Sequence, residues 1–233
     1  MAKQNVWLSV SDLMTGLMVI FLFVAIAYIK KVQDSQNTLT DYVETRQKLH
    51  EKLVKEFEGD TARWQMTIGK DLSMRFNNPQ VLFAMGSANI TQGFQMILDE
   101  FMPKYLNILL TDSLRSRIQE VRIEGHTDNV PYPSLNPDPF KANIILSQNR
   151  ARNVLEYVLD LEYVRGLSDD DRRTLEFWLT ANGLSYGRSL DSNGEQTYLS
   201  HQRIDLARSR RVEFRIVTTG DEVLEEFVKA NSK

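Results

Sequence analysis

The run Val6–Ile29, VWLSVSDLMTGLMVIFLFVAIAYI, limits what the chain can be more than any other stretch. It holds one ionisable side chain, Asp12, and no charge between Leu13 and Ile29. A helix of this length, rising about 1.5 Å per residue, reaches across the ~30 Å hydrocarbon core of a bilayer. Lys30 and Lys31 close the run, and Trp7 and Tyr28 stand where interfacial aromatics belong. The reading is one membrane-spanning helix over 6–29 behind a short tail, 1–5. A signal peptide is the competing reading, since Ala25-Ile26-Ala27 has the small-residue pattern of a cleavage site. The length of the apolar run, the Asp near its beginning and a basic region of Lys3 alone argue against it.

Asp12 is the costly residue. A carboxylate near the middle of a span costs about 2.5–3.5 kcal/mol to insert, and somewhat less toward an end. Ser9, Thr15 and Gly16 share its helical face, whereas Leu13, Leu17, Phe21 and Val24 point elsewhere. A small, polar face of that kind suits close packing on another helix or a water-lined path. A carboxyl group so placed can carry a proton or a small cation. The plainer alternative is a residue that caps the helix or reaches the headgroups.

The remaining chain has room for a connector and one ordinary domain. Net charge is −3 and there is no basic stripe, so no direct nucleic-acid partner is expected. With no cysteine, disulfides, thiolate metal sites and thiol chemistry are excluded. Residues 30–71 read as a helical connector. Val32, Leu39, Tyr42, Leu49 and Leu53 fall at coiled-coil spacing, broken by Ser35, Arg46 and Glu56. The connector is either a solvated continuation of the span or a parallel dimer neck.

From 72 to 217 the pattern alternates between strand and helix. Gln80–Ala84 reads as a strand and Ile90–Leu109 as a helix that Pro103 kinks or breaks. Ile118–Gly125 reads as a strand. The proline-dense Val130–Phe140 reads as a stiff loop that shapes a cleft rim. Leu146–Leu161 reads as a helix, Trp178–Gly183 as a strand, Tyr198–Ser209 as a helix and Arg211–Val217 as a closing strand. The fold class is α/β, a sandwich of about four strands with helices, ending in a tail over 218–233.

Five tracts in this region, VLFAMGSANIT, GHTDN, NIILSQNRAR, ANGLSYGRSL and ARSRRVEFRI, together resemble the OmpA-like peptidoglycan-binding domain. The paired pieces GHTD and LSxxRA carry the likeness. It implies a pocket for the diaminopimelate of a cell-wall stem peptide, with Asp128 and Arg150 as the main contacts and Asn143 and Leu146 shaping it. The chemistry is coherent: a carboxylate can hold the ligand's ammonium, and a guanidinium can clamp its carboxylate in bidentate fashion. The alternative is that Asp128 and Arg150 pair only with each other. Ser209 stands where that family usually has Asn before the final Arg-Arg.

The order of parts, a span with an Asp, a connector and a wall-binding domain, resembles the stator subunits of ion-driven motors. The tract WLSVSDLMTGLMVIFLF is more similar to the ZorB type of the Zorya anti-phage defence system than to the flagellar MotB type. That resemblance implies a homodimer inside a pentameric ring of a multi-span partner, with Asp12 as ion carrier. It also implies a bacterial inner-membrane location, N-terminus cytoplasmic and C-terminal domain periplasmic. No enzyme is expected. There is no recognisable nucleophile set and no phosphate loop, and no cofactor is implied. His126 lacks a second His or Cys at ligand spacing and is expected to be structural.

Overall fold

A computed structural model describes the backbone of residues 2–220, and the side chains there except those of 2–9, 35, 38 and 39. The expected tail beyond Gly220, and the side chains of Trp7, Ser9, Ser35 and Leu39, lie outside the described residues. The described part falls into two compact units, one up to Glu44 and one from Thr45 onward, each taken by itself below.

The first unit is helix. α1 runs from Ala2 to Phe57 without a break, as a sequence free of proline and of any glycine but Gly16 allows. Within it Val10–Asp34 is long and apolar enough to cross a membrane, and none of it is buried. Asp12 lies exposed near the start of that window. One helical turn on, Thr15 donates its hydroxyl to the Ser11 carbonyl at 2.8 Å.

In the second unit the last turns of α1 are core. Leu49, Leu53 and Phe57 are fully buried. The lower part of the expected dimer seam therefore packs into the chain's own domain. The spacing that suits a coiled coil also suits any helix with one apolar face. The hairpin β1 (Met66–Ile68) and β2 (Ser73–Phe76) follows, in a stretch read as connector. Its turns are hard to see in sequence because Gln65 and Leu72, not glycines, take positive φ of 48° and 60°.

The expected strand at Gln80–Ala84 is instead one helical turn, α2 (Pro79–Leu82), opened by a proline at its first position. A short apolar run cannot by its pattern distinguish the two. α3 (Gln92–Leu109) runs through Pro103 and is capped by the Thr91 hydroxyl, which accepts from the Phe94 amide. The short α4 (Asp112–Arg115) leads into β3 (Ile118–His126). α5 (Pro139–Asp160) begins seven residues ahead of its expected start. Asp138 accepts from the amides of Phe140 and Lys141, and Pro139 fits the first turn. Then come α6 (Glu162–Arg165), α7 (Asp169–Trp178) and β4 (Leu179–Gly183). The expected helix over Tyr198–Ser209 is two single turns, α8 (Thr197–Ser200) and α9 (Leu206–Ser209), separated where His201 takes φ 54°. β5 (Arg211–Thr218) closes the fold.

Among the described residues the sheet has five strands in the order β1-β2-β5-β3-β4. Only β3 and β4 are parallel; the other pairings are antiparallel. One face carries Met74, Phe76, Val121, Ile123, Val212, Phe214 and Ile216, all buried beneath α3 and α5. α5 lies very close to β3 and β4 because Gly125 and Gly183 have no side chain. A Cβ on either would come within 2.3 Å of α5 backbone, at the Ser147 carbonyl oxygen and the Gln148 nitrogen.

Candidate functional site

The cleft forms where β3 ends. Thr127 continues the strand by donating its amide to the Ser185 carbonyl at 3.0 Å, which places Asp128 at the mouth of the β3–α5 loop. There Asp128 is 1% exposed, and its Oδ1 accepts the Val130 amide at 3.0 Å. The loop beyond is tied back by Asn143, whose Nδ2 donates to the carbonyls of Val130 at 2.9 Å and Pro139 at 3.0 Å.

α5 brings in the cation. Gln148 fixes the helix on the edge strand, accepting from the Gly183 amide at 2.8 Å and donating to the Ala181 carbonyl at 3.1 Å. Arg150, about three turns along α5, is thereby set against the loop after α2. Its Nε donates to the Ser87 carbonyl at 2.9 Å, and its guanidinium carbon lies 4.8 Å from the centre of the Phe83 ring. Both Nη groups keep their hydrogens free of protein partners among the described residues. Burial pulls the Arg150 pKa down to about 10, partly offset by Tyr132 and Asp128. That still leaves it charged at neutral pH.

Asp128 and Arg150 line one cleft of about 360 Å³ with Phe83, Met85, Tyr132 and Arg210. They do not form the ion pair that would have made them merely structural. The partner of Asp128 is Arg210, whose Nη1 lies 2.6 Å from Oδ2. Asn143 and Leu146 are buried at 0% and 2% but do not line the cleft; Asn143 holds the loop through its side-chain amide. Arg210 is the cleft residue that sequence reasoning passed over. Its only signal was the Arg-Ser-Arg-Arg run ahead of β5. Asp12 belongs to the other unit.

Behind the cleft, on the sheet face away from α5, lies a buried charge cluster. Glu213 takes Arg211 Nε at 2.6 Å, Arg215 Nη2 at 3.0 Å and Arg75 Nε at 3.3 Å. Burial alone would raise its pKa, but these guanidinium groups, Arg211 foremost, outweigh that and hold it at about 2. His126 Nε2 lies 3.6 Å from Glu124 and 3.6 Å from Glu213. Glu124, His126 and Glu213 could converge on a cation by distance. Both carboxylates, however, already face arginines, Glu124 meeting Arg215 at 3.4 Å. That leaves no uncompensated negative charge to hold a metal. His126 belongs to the sheet's packing.

No family model matches the chain. The described residues form an apolar N-terminal helix and an α/β domain built on one mixed sheet. A MotB-like protein from Desulfovibrio vulgaris has the same fold, at TM-score 0.50 and 24% identity, over 77% of this chain and 98% of that one. The Zorya protein ZorB of Escherichia coli is 36% identical over 226 residues, which is 92% of this chain and 88% of the relative. The chain belongs to the ZorB family.

Proposed function

We propose that this chain is the wall-anchored, inner-membrane stator subunit of an ion-driven, proton-carrying rotary motor acting in anti-phage defence. The observation that carries the reading is the presence of Asp128 and Arg150 in the lining of one cleft, within a chain that matches ZorB along nearly its whole length. Asp128 takes the ammonium of a diaminopimelate stem and Arg150 clamps the neighbouring carboxylate through its free Nη groups. Asn143 and Leu146 support the pocket from behind.

Asp12 is the ion carrier. A lone helix offers no path through a bilayer, so two copies of this chain sit inside a pentameric, multi-span partner that completes the path. The N-terminus is cytoplasmic and the cleft periplasmic. One charge crossing 100 mV releases about 2.3 kcal/mol, enough to drive a rotation step when the ring turns against an anchored dimer. The chain is not an enzyme and takes no cofactor.

Asp12→Asn, expressed with its multi-span partner, is expected to reach the membrane and assemble but to give no phage protection in a plating assay. Full protection would reduce the chain to a passive membrane-to-wall tether. A swimming defect with unchanged plating would point to a flagellar stator instead. Asp128→Ala and Arg150→Ala are each expected to abolish co-sedimentation with purified peptidoglycan, and unchanged co-sedimentation of both would remove the anchor.

A further inference from the structure

The charges in the cleft do not balance. Of its lining residues only Asp128 is acidic, whereas Arg150, Arg210 and Arg211 are basic. Arg211 is occupied: it pairs with Glu213 and donates to the carbonyls of Ser209 and Arg188 at 3.3 and 3.2 Å. Arg150 and Arg210 are left facing a single carboxylate. Arg210 is the more accessible, its side chain 34% exposed, and it commits only Nη1, to Asp128. Its remaining donors are free among the described residues.

From this excess we infer that Arg210 is a specificity residue reading a second carboxylate on the ligand, so that the cleft selects a group bearing one ammonium and two carboxylates. This rests on the proposed wall-binding role of the cleft and narrows it. The ligand's ammonium shares Asp128 with Arg210, since each carboxylate oxygen accepts more than one hydrogen bond. Arg150 takes the carboxylate beside that ammonium. Arg210 takes the other, at the C-terminus of a stem peptide that ends in diaminopimelate. A stem carrying a neutral amide at that position leaves the Arg210 charge unmatched, and a partly buried cation without a counter-charge weakens binding.

The test is calorimetric titration of the full-length protein in detergent. Two synthetic tripeptides ending in meso-diaminopimelate are compared, one with its C-terminal carboxylate and one with that group as a carboxamide. The wild type is expected to bind the carboxylate form roughly tenfold or more tightly, as suits one charge-assisted contact. In Arg210→Gln the two peptides are expected to bind alike. Arg210→Lys, which keeps the charge but not the fork, should show an intermediate ratio.

Equal binding of both peptides by the wild type would overturn the inference without any variant. So would an Arg210→Gln variant that weakens both peptides by the same factor, because Arg210 would then only position Asp128. Arg150→Ala separates the two levels of the argument. If it abolishes binding while the wild type ignores amidation, the cleft stands and the role of Arg210 falls. If it leaves binding intact, the cleft assignment falls and the inference with it.

Discussion

The two faces of the sheet are built on opposite physics. On the face under α3 and α5, Phe101 meets Phe57, Phe76, Tyr105 and Phe214 with ring centroids 5.0–5.2 Å apart. That packing is non-directional, and its strength scales with the apolar area removed from water. On the other face, Arg75, Glu124, His126, Arg211, Glu213 and Arg215 alternate in register across β2, β5 and β3. Glu213 and Glu124 are as inaccessible there as the phenylalanines, at 1% and 2% exposure. Arg188, from the segment after β4, covers this side, its carbonyl accepting from Arg211 and its guanidinium 3.8 Å from Glu124. An apolar face tolerates small shifts in position, but a buried charged face is satisfied only in one register. The charged face ends at Arg211, next in sequence to Arg210, so the register it fixes also aims the cleft.

The largest effect is expected where the apolar face is cut. Phe101→Ala should destabilise the domain by ~3–5 kcal/mol in denaturant unfolding of the full chain, the usual cost of emptying a core aromatic site. A loss below about 1 kcal/mol would mean that the ring cluster is not the centre of the core.

Glu213→Gln attacks the opposite face with almost no change in shape. It leaves Arg211, 4% exposed, without its counter-charge, and removal of one buried partner costs about 3 kcal/mol or more. The double variant Arg211→Met with Glu213→Leu should recover much of that loss, since a buried pair replaced by apolar groups is often neutral in stability. Its cleft should nevertheless bind wall peptide less well, because the register next to Arg210 has lost its directional constraint. A double variant with normal binding would break the link between the charged face and the cleft.

The two faces were not equally legible in the sequence. The apolar face announced itself: RVEFRIV alternates as β5, IQEVRIEG as β3, and Phe94, Leu98 and Phe101 recur at helical spacing in α3. The other half of each alternation, Arg211, Glu213 and Arg215 in β5, looks in sequence like an ordinary solvated face. Its burial depends on a segment far along the chain folding over it, which no local pattern records. The hairpin β1–β2 was hidden for a related reason, since its strands are only three and four residues long and the positive φ of its turn falls on Leu72 rather than on Gly69. Of the site, Asp128 and Arg150 were legible because each sits in a compact motif. Arg210 was not, because its role follows from charge balance in a cleft drawn from four separated segments.

The smallest expected effect, and the one that sets the two faces apart most cleanly, is on pH. An apolar face does not titrate. Burial, and Arg211 beyond it, hold the His126 pKa below its ordinary value against the pull of Glu124 and Glu213. The folded chain therefore resists a proton that the unfolded chain accepts near pH 6.5. Stability is full above that pH and falls as pH drops toward the folded pKa, because the unfolded state binds more protons there. A second loss begins in the ordinary carboxylate range, as pH falls from about 4.5 toward the Glu213 pKa of about 2. One proton gives a slope no steeper than ~1.4 kcal/mol per pH unit. Thermal melts at pH 7.5 and 5.5 should show the wild type losing more stability than His126→Gln, while Phe101→Ala keeps the wild-type slope from a lower starting point. Equal slopes in wild type and His126→Gln would show that the charged face, although buried, does not hold its histidine neutral.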